Sequence, residues 1–528
     1  MSRIQLSFAL AAVAVLTVTP VLLYHGAPTQ TSGRTLIIIT PNSEQMRQEF
    51  STGFIRWHKK KYGEQVGVVW NTPGGATEIR RMLVAQYEAA LRANQPVGGD
   101  ADIVLGGGSY EYESMSRPIS VGSGDTFRET TILQPCDWMT PEKLKEIYGP
   151  NEIDGHPLYD EQLHWFGVAL STFGILSNTQ QFTAHGIEIP KVWADLADPR
   201  LFQTIALVNP SQSGSVATAF ETILQRLGWK RGWQIMRRAA ANTNQIVAAG
   251  STIPTTVGNG ESWTGIAIDF YGRYQAQSLA DSATQTGISS IDRLQFCTPK
   301  GQSVVDADPV AILRGAPNAD LAQHFVEFCL SIDAQMLWQL PSGEGEMCGY
   351  SRPENYSLRR MPILRAAYEC CEKCFVDQIN PFDDQSVLVS DPNFRDFVSP
   401  LFVPMAITST DSLRLAWHAI FTHPAYPHGT EIVSAEDVSD PILKSWLEIF
   451  DALPTIAGPH GVSFDLNDPQ SLSAVRTGWI KGGFAQSGLW DEREQSPTIM
   501  RREFNAFFAN QYRKIIDSAQ SLSASRGM

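Results

Sequence analysis

The sequence lacks the short motifs that mark the commonest catalytic and metal sites. It contains no H-E-x-x-H, no G-x-S-x-G and no G-x-x-x-x-G-K-[ST] pattern. Its ten histidines do not pair at metal-binding spacing within one helix. His423 and His428 flank a proline-rich loop, and we expect both at the surface. We therefore predict a protein with no catalytic residues, no metal site and no cofactor.

An excess of basic residues is also missing, because acidic residues outnumber basic ones and the net charge is −14. Proteins that bind nucleic acids usually carry a basic footprint, and an acidic surface gains little from anionic lipid. We predict no nucleic-acid partner. The 528 residues, 43% of them hydrophobic and 18% charged, have the composition of a globular protein. This length exceeds what one core usually serves, so two or three domains are expected.

Charged residues are nearly absent from the N-terminus. Arg3 is the only charge before an uncharged run from Leu6 to Tyr24, which is typical of a secretory signal or an uncleaved membrane anchor. No cysteine lies in this region, so a cleaved lipoprotein is not expected. We predict an exported protein, periplasmic or otherwise extracytoplasmic. Cleavage of residues 1–33 and anchoring by residues 6–24 both remain open.

The seven cysteines are an odd number, so at least one thiol is free or pairs between chains. Cys136, Cys297 and Cys329 stand singly, and we interpret them as small buried hydrophobic residues. The cluster Cys370-Cys371-Glu372-Lys373-Cys374 favours a structural disulfide, with Cys348 as one candidate partner. Zinc binding, redox activity and plain thiols stay open for this cluster.

Short β-rich runs alternate with helical runs from Arg34 onward, which predicts α/β lobes with mainly parallel sheets. The expected strands of the first lobe are Thr35–Ile39, Val66–Trp70 and Asp102–Leu105. Those of the middle region are Phe166–Ser177, Thr204–Val208, Thr264–Ile268 and Val304–Leu313, the last interrupted by Pro309. A second lobe therefore lies between two segments of the first.

These patterns divide the chain into five parts. Residues 1–33 are the signal peptide or anchor, residues 34–165 begin lobe 1, residues 166–303 form lobe 2, and residues 304–349 return to lobe 1. The sequence pattern changes after Tyr350, where short helical segments alternate with proline-rich connections. We expect residues 350–528 to form a mostly helical extension that packs on lobe 1.

Hydroxyl side chains and glycines follow nearly every predicted strand. In open α/β sheets ligands bind beyond the carboxyl ends of the strands. There the unpaired N–H groups and partial positive charge of a helix N-terminus suit small polar or anionic ligands. The candidate ligand-binding residues at these positions are Thr40, Asn42, Gly74, Gly75, Thr77, Gly107, Gly108, Ser109, Ser171, Ser213, Gly214, Ser215, Asp269, Tyr271 and Asp308.

The stretch from Arg34 to about Trp338 resembles the bacterial solute-binding proteins of the ferric-iron, thiamine and polyamine importer group. The segments that carry this resemblance, in order, are Asp102–Gly108, Trp165–Ser171 with Gly174-Ile175 and Asn178, Ser213–Ser215 with Ala219–Glu221, Asp306–Ala311 with Arg314–Asn318, and Gln335–Trp338. The resemblance implies a type 2 periplasmic binding protein. Such a protein is a monomeric clamp of two lobes, joined by crossover hinge strands, that delivers its solute to an ABC permease.

The nature of the ligand stays open at this stage. Ferric-ion binders of the group often carry adjacent tyrosines after the strand equivalent to Thr264–Ile268, whereas Asp269-Phe270-Tyr271-Gly272 has one. We favour a phosphorylated or carboxylated anion. The alternatives are ferric iron and a thiamine-like or polyamine cation, for which Asp269 and Asp308 would be the acidic groups. A membrane-tethered sensor and an exported enzyme are the competing functions.

Overall fold

The computed structural model describes residues 33–286, 293–383, 393–429, 432–481 and 497–526. The predicted signal or anchor at residues 1–33, with its apolar run at 6–24, therefore lies almost wholly outside the described residues. Within the described ranges, none of the helices combines the length and the apolar character needed to cross a bilayer.

Ten strands form the main sheet, in the order β2-β1-β3-β11-β6-β9-β7-β8, with β10 and β14 added against β6. The strands of the structure are β1 (Thr35–Ile39), β2 (Gly67–Asn71), β3 (Ile103–Leu105), β4 (Ile119–Val121), β5 (Arg128–Thr130), β6 (Phe166–Asn178), β7 (Ile205–Val208), β8 (Thr243–Val247), β9 (Thr264–Ile268), β10 (Leu294–Cys297), β11 (Val305–Ile312), β12 (Glu346–Met347), β13 (Tyr350–Ser351), β14 (Met361–Pro362), β15 (Thr455–Ala457) and β16 (Ser463–Asp465).

Helices cover the faces of this sheet and form most of the C-terminal region. They are α1 (Glu44–Tyr62), α2 (Ala76–Arg92), α3 (Ser109–Ser116), α4 (Pro141–Tyr148), α5 (Thr179–His185), α6 (Gly214–Leu227), α7 (Trp229–Ala241), α8 (Ile253–Gly258), α9 (Asp269–Thr286), α10 (Ala319–Cys329), α11 (Ile332–Gln339), α12 (Arg365–Cys371), α13 (Asn393–Phe402), α14 (Thr410–Phe421), α15 (Pro441–Asp451), α16 (Leu472–Val475) and α17 (Pro497–Arg526).

The two lobes share the long strand β6, every residue of which is buried. Its first half pairs with β11, and its second half pairs with β9 and β10. Strand β11 then returns the chain to β3 of the first lobe. It runs through Pro309 with a shift in register rather than an interruption. Within each lobe the neighbours β1, β2 and β3, and β7, β8 and β9, are parallel.

Each lobe has its own hydrophobic core. Phe50 and Phe54 of α1 pack with Phe328 and Trp338 in the first lobe. Helices α6 and α7 supply the second core, in which Phe220 packs on Phe402 of α13 with ring centroids 4.9 Å apart. The second core therefore extends into the C-terminal region.

The expectation that the whole extension packs on lobe 1 is wrong. Its first part lies there, since β14 pairs with β6 and the Glu49 carboxylate accepts backbone N–H groups of Glu354, Asn355 and Tyr356. Helices α13 and α14 instead pack on α6 and α7 of lobe 2. The physical reason is that lobe 2 is incomplete without them: buried Trp417 of α14 fills its core and donates to Asn242 at 2.9 Å.

The cysteines and histidines follow the expectations with two exceptions: Cys297, which is only partly buried, and His423. A disulfide joins Cys348 to Cys374, Cys136 and Cys329 are buried, and Cys370 and Cys371 lie side by side as free thiols. His428 is exposed. His423 is not a surface residue, because its ring is buried edge-on against Trp446.

Candidate functional site

A cavity of about 110 Å³ lies between the lobes, where the loops after β1, β3, β7 and β9 meet. The lobes touch around it: a Cβ added at Gly75 of lobe 1 would lie 2.8 Å from the Gln212 carbonyl oxygen of lobe 2. Ten of the candidate residues line the cavity, namely Asn42, Gly75, Gly107, Gly108, Ser171, Ser213, Gly214, Ser215, Tyr271 and Asp308.

Five candidate residues do not line this cavity. Thr40 is buried and donates its hydroxyl to the Leu105 carbonyl at 2.7 Å. Gly74 lies two residues before the start of α2, and a Cβ there would meet the Glu78 carboxylate. These two positions therefore shape the loops without facing the cavity.

The other three are engaged with protein groups. Thr77 donates to Glu111 at 2.8 Å, and Ser109 donates to Asp306 at 2.7 Å. Asp269 is buried at the start of α9, where burial raises its pKa and Arg273 lies 3.2 Å away. All three have roles in holding the loops together.

The N-termini of three helices lie at the cavity. Gly75 precedes α2, Gly108 precedes α3 and Ser213 precedes α6, with the Ser213 hydroxyl accepting the Val216 N–H. Gly106, Gly107 and Gly108 all have positive φ angles, of 91°, 120° and 86°. Side chains other than glycine rarely adopt this conformation, so the local sequence is what brings the backbone to the cavity.

Arg360 is the cation of the site, and sequence reasoning missed it. The residue is 5% exposed. Its guanidinium lies 2.6 Å from Asp308, donates to Asn42 at 3.3 Å and stacks 4.0 Å from the Phe270 ring centroid. The residue belongs to an irregular segment just before β14, with no motif around it. Only the fold brings this segment of the C-terminal region to the cleft.

Three buried hydrogen-bonding atoms of the lining have no partner among the described residues. They are the Asn42 Nδ2, the Ser171 Oγ and the Arg360 Nε. A buried polar group without a hydrogen bond costs about 1–3 kcal/mol. Grouped around one cavity, these atoms are suited to hold the oxygens of a solute.

The acidic side chains at the cavity are engaged by protein groups, Asp308 in an ion pair and Asp306 in a hydrogen bond with a neutral hydroxyl. Asp308 accepts the Gly107 N–H at 2.7 Å and pairs with Arg360, and Asp306 accepts from Ser109. Burial raises the pKa of the Tyr271 hydroxyl, which keeps it protonated at neutral pH. Across the described ranges, no group of three or more histidine, cysteine or acidic residues is placed to hold a metal ion.

A second cavity of about 240 Å³ adjoins the first and shares Asn42, Ser251, Phe270, Tyr271 and Arg360 with it. Its other lining residues are neutral: Ser43, Gln45, Met46, Pro254, Thr255, Tyr274, Gln275, Trp338 and Leu358. The cleft can thus receive a charged group near Arg360 together with an uncharged polar remainder.

Comparison with known proteins finds similarity to solute-binding proteins. Residues 114–342 match the family of bacterial extracellular solute-binding proteins. An uncharacterized protein of Haemophilus influenzae is 27% identical over 228 residues, 43% of this chain and 62% of that protein. The phosphoglycerate transport regulatory protein PgtC of Salmonella typhimurium is 27% identical over 170 residues, 32% and 39% of the two chains. The match thus spans less than two thirds of either relative.

Among solved structures, the periplasmic binding protein AfuA from Actinobacillus pleuropneumoniae superposes with a TM-score of 0.50 at 19% identity, covering 72% of this chain and 99% of AfuA. The fold is that of the two-lobed, type 2 periplasmic binding proteins, as the sequence predicted. Residues 114–342 are thus similar to bacterial extracellular solute-binding proteins.

Proposed function

We propose that the protein captures a small organic anion, phosphorylated or carboxylated, between its lobes outside the cytoplasm and presents it to an ABC permease. One observation carries the choice of ligand: the buried Arg360 guanidinium lies at the cavity beside unpaired buried atoms of Asn42 and Ser171. Charge-assisted hydrogen bonds to phosphate or carboxylate are among the strongest in proteins. A helix N-terminus adds further donors.

The names of two similar proteins support this class of ligand. PgtC is named for phosphoglycerate transport, and the AfuA structure contains bound fructose-6-phosphate. Both compounds are phosphate esters; the remainder of fructose-6-phosphate is neutral and rich in hydroxyls, whereas that of phosphoglycerate carries a carboxylate. The second cavity, with its uncharged amides, hydroxyls and aromatic rings, would suit a neutral, hydroxyl-rich remainder.

Ferric iron and organic cations are less well matched to the site. Fe(III) favours deprotonated oxygen ligands, yet Tyr271 is the only tyrosine in the lining of the first cavity, and its pKa is raised. An organic cation would pair with a carboxylate, whereas Asp308 is ion-paired with Arg360 and one oxygen of Asp306 accepts the Ser109 hydroxyl.

Ligand sensing is the second candidate function, and the name of PgtC as a transport regulatory protein favours it. The two roles share one binding site and differ in the partner that recognises the closed, solute-bound protein. Deleting the gene would abolish uptake of the solute if the protein serves an importer. A sensor mutant would instead keep constitutive uptake and lose the induction of target genes.

Thermal unfolding against a panel of solutes tests the ligand class directly. Residues 34–528 would be stripped of bound solute and heated with sugar phosphates, phosphoglycerate, inorganic phosphate, dicarboxylates, ferric citrate, thiamine and spermidine. A solute at a hundred times its Kd adds about 2.7 kcal/mol of stability, which raises the Tm by several degrees. A shift with ferric ion or a polyamine, and with no anion, would contradict the proposal.

A further inference from the structure

The C-terminal extension meets the first lobe beside the ligand cleft. Tyr110 lies in the first turn of α3, immediately after the glycine loop at the cavity. Its hydroxyl donates to the Asp396 carboxylate of α13 at 3.2 Å. The Arg395 guanidinium lies over the Tyr110 ring, 4.2 Å from the centroid. One side chain of lobe 1 is therefore held by two adjacent residues of the extension.

Arg395 and Asp396 are themselves fixed on the lobe 2 side. Arg395, only 8% exposed, donates to the Gly214 carbonyl and to the Thr218 hydroxyl of α6, both at 3.0 Å. Glu221 of the same helix lies 3.7 Å from it. These contacts tie the extension to the N-terminal half of the helix that begins at the cavity.

Asp396 is oriented by two cations of the extension. Arg476 donates to one of its carboxylate oxygens, and the Lys481 ammonium lies 3.3 Å from the same oxygen. The other oxygen accepts the Tyr110 hydroxyl. Burial raises the pKa of Tyr110, so its hydroxyl remains a proton donor at neutral pH.

These contacts bridge the two bodies that a clamp moves apart. Tyr110 belongs to lobe 1, while α13 shares the core of lobe 2. Two-lobed binding proteins open and close about hinges, and here β6 and β11 connect the lobes. Opening the cleft would separate Tyr110 from Arg395 and Asp396, whereas closing it would restore both contacts.

We propose that Tyr110, Arg395 and Asp396 form a latch through which the C-terminal extension holds the two lobes closed. None of the three lines the two cleft cavities, so they are positioning residues. The latch goes beyond the proposed function, because it sets the balance between open and closed clamps whatever the solute. Contacts made in one state only shift a two-state equilibrium by their full free energy.

Small-angle X-ray scattering of the full chain, without added solute, tests the latch. Tyr110→Phe removes the hydroxyl, Asp396→Asn removes the charge of its acceptor, and Tyr110→Ala also removes the ring over Arg395. Losing a hydrogen bond to a charged acceptor should raise the open-to-closed ratio about tenfold. The radius of gyration should then increase, most for Tyr110→Ala, while the Tm changes little.

Tyr62→Phe is the matched control. Tyr62 also donates to a carboxylate, that of Glu327 at 2.7 Å, but both residues belong to lobe 1. Its loss should leave the radius of gyration unchanged. A double-mutant cycle adds a second readout: Tyr110→Phe and Asp396→Asn should be non-additive in their effect on the radius, because they remove one contact.

The latch would be overturned if both variants scattered like Tyr62→Phe, or if their effects on the radius were additive. Because no solute enters this experiment, its outcome is independent of the panel of anions. Failure of the panel would remove the proposed ligand class and leave the latch standing. Failure of the scattering test would remove the latch and leave the proposed ligand class standing.

Discussion

The two parts of the C-terminal region each bring one buried arginine to the cleft, and the two arginines are held very differently. Arg360 comes from residues 350–383, which lie against lobe 1, and it borders both cleft cavities. Arg395 comes from α13, which lies on lobe 2, and it donates to a backbone carbonyl and a threonine hydroxyl of α6. Neither position is marked by a sequence motif.

We infer that unpaired hydrogen-bonding atoms at the cavity, rather than charge or burial, would distinguish an arginine that binds solute from one that only positions the lobes. Arg360 leaves its Nε unpaired beside the unpaired Ser171 and Asn42 atoms of the cavity. The contacts of Arg395 are to protein groups, and it lies outside both cavities. The following experiments test this contrast and the packing of the segments around it.

The largest effect is expected where the extension completes the core of lobe 2. Trp417 is fully buried in α14, and Trp417→Ala should lower the free energy of unfolding by about 3–5 kcal/mol. Urea unfolding followed by circular dichroism measures this change. Leu415→Ala, in the same helix but at a side chain 58% exposed, is the matched control and should change stability by about 0.5 kcal/mol or less. Equal effects would show that the extension is an independent appendage.

Arg360→Met should abolish most solute binding. The expected loss of affinity for the best anion of the panel is about ten- to a hundredfold, since hydrogen bonds to a charged group contribute about 1.5–3 kcal/mol. The single change also leaves Asp308 buried without its cation, which destabilises the fold by several kcal/mol, on the order of 3–5. Calorimetric titration and thermal unfolding separate the two effects.

The double variant Arg360→Met with Asp308→Asn removes the charge of the carboxylate as well. It should recover much of the stability and none of the affinity. If the double variant bound the anion as well as the wild type, Arg360 would be a structural cation like Arg395, and the contrast between them would disappear.

The strand-end loops could be predicted from sequence, because the position of a loop beyond a parallel strand follows from local patterns. Gly107 and Gly108 of lobe 1 and Ser213 of lobe 2 meet at one cavity for this reason. The position of Arg360 could not be predicted, because an irregular segment has no hydrophobic periodicity from which its location in the fold could be inferred. The same is true of the extension. Its helices show an apolar stripe, but the sequence does not indicate which surface of the protein packs against that stripe.

Asp269 and Ser109 illustrate a second limit. Both follow predicted strands, as the lining residues do, yet each is engaged by a protein group, Arg273 and Asp306 respectively. Sequence places a residue near a strand end and does not say which way its side chain turns. Whether these residues ever contact solute stays a prediction.

An intermediate effect is expected at Gly214, where the lobes touch. A Cβ there would lie 2.8 Å from the Glu111 carboxylate of α3, and Thr77 and Arg80 both hold that carboxylate. Gly214→Ala should therefore hinder closure and weaken anion binding about fivefold, while the Tm stays level because alanine is the better helix former.

Gly429→Ala is the control for this change, since a Cβ there meets nothing within 4 Å. Its affinity, measured by the same calorimetric titration, should equal that of the wild type. Unchanged affinity in Gly214→Ala would mean that the closed contact between α3 and α6 is dispensable. The latch at Tyr110 would then be the principal contact that holds the lobes together.

The smallest effect lies away from both arginines, on the outer face of lobe 1. Burial, and then neighbouring His58, lower the pKa of His324; the ring also faces Tyr62 and Glu327. The folded state thus binds this proton less readily than the unfolded chain. Stability is fully present above the ordinary histidine pKa of about 6.5 and is lost as the pH falls below it.

His324→Gln cannot titrate, so it should lose less stability than the wild type between pH 7.5 and pH 5, by about 1 kcal/mol or less. Urea unfolding at the two pH values measures the difference, with the exposed His428→Gln as the control. Arginine side chains in general do not titrate in this range. Anion binding could also weaken as the pH falls along the same curve. If that weakening disappeared in His324→Gln, the group responsible for it would be His324 in lobe 1, and not Arg360 or Arg395.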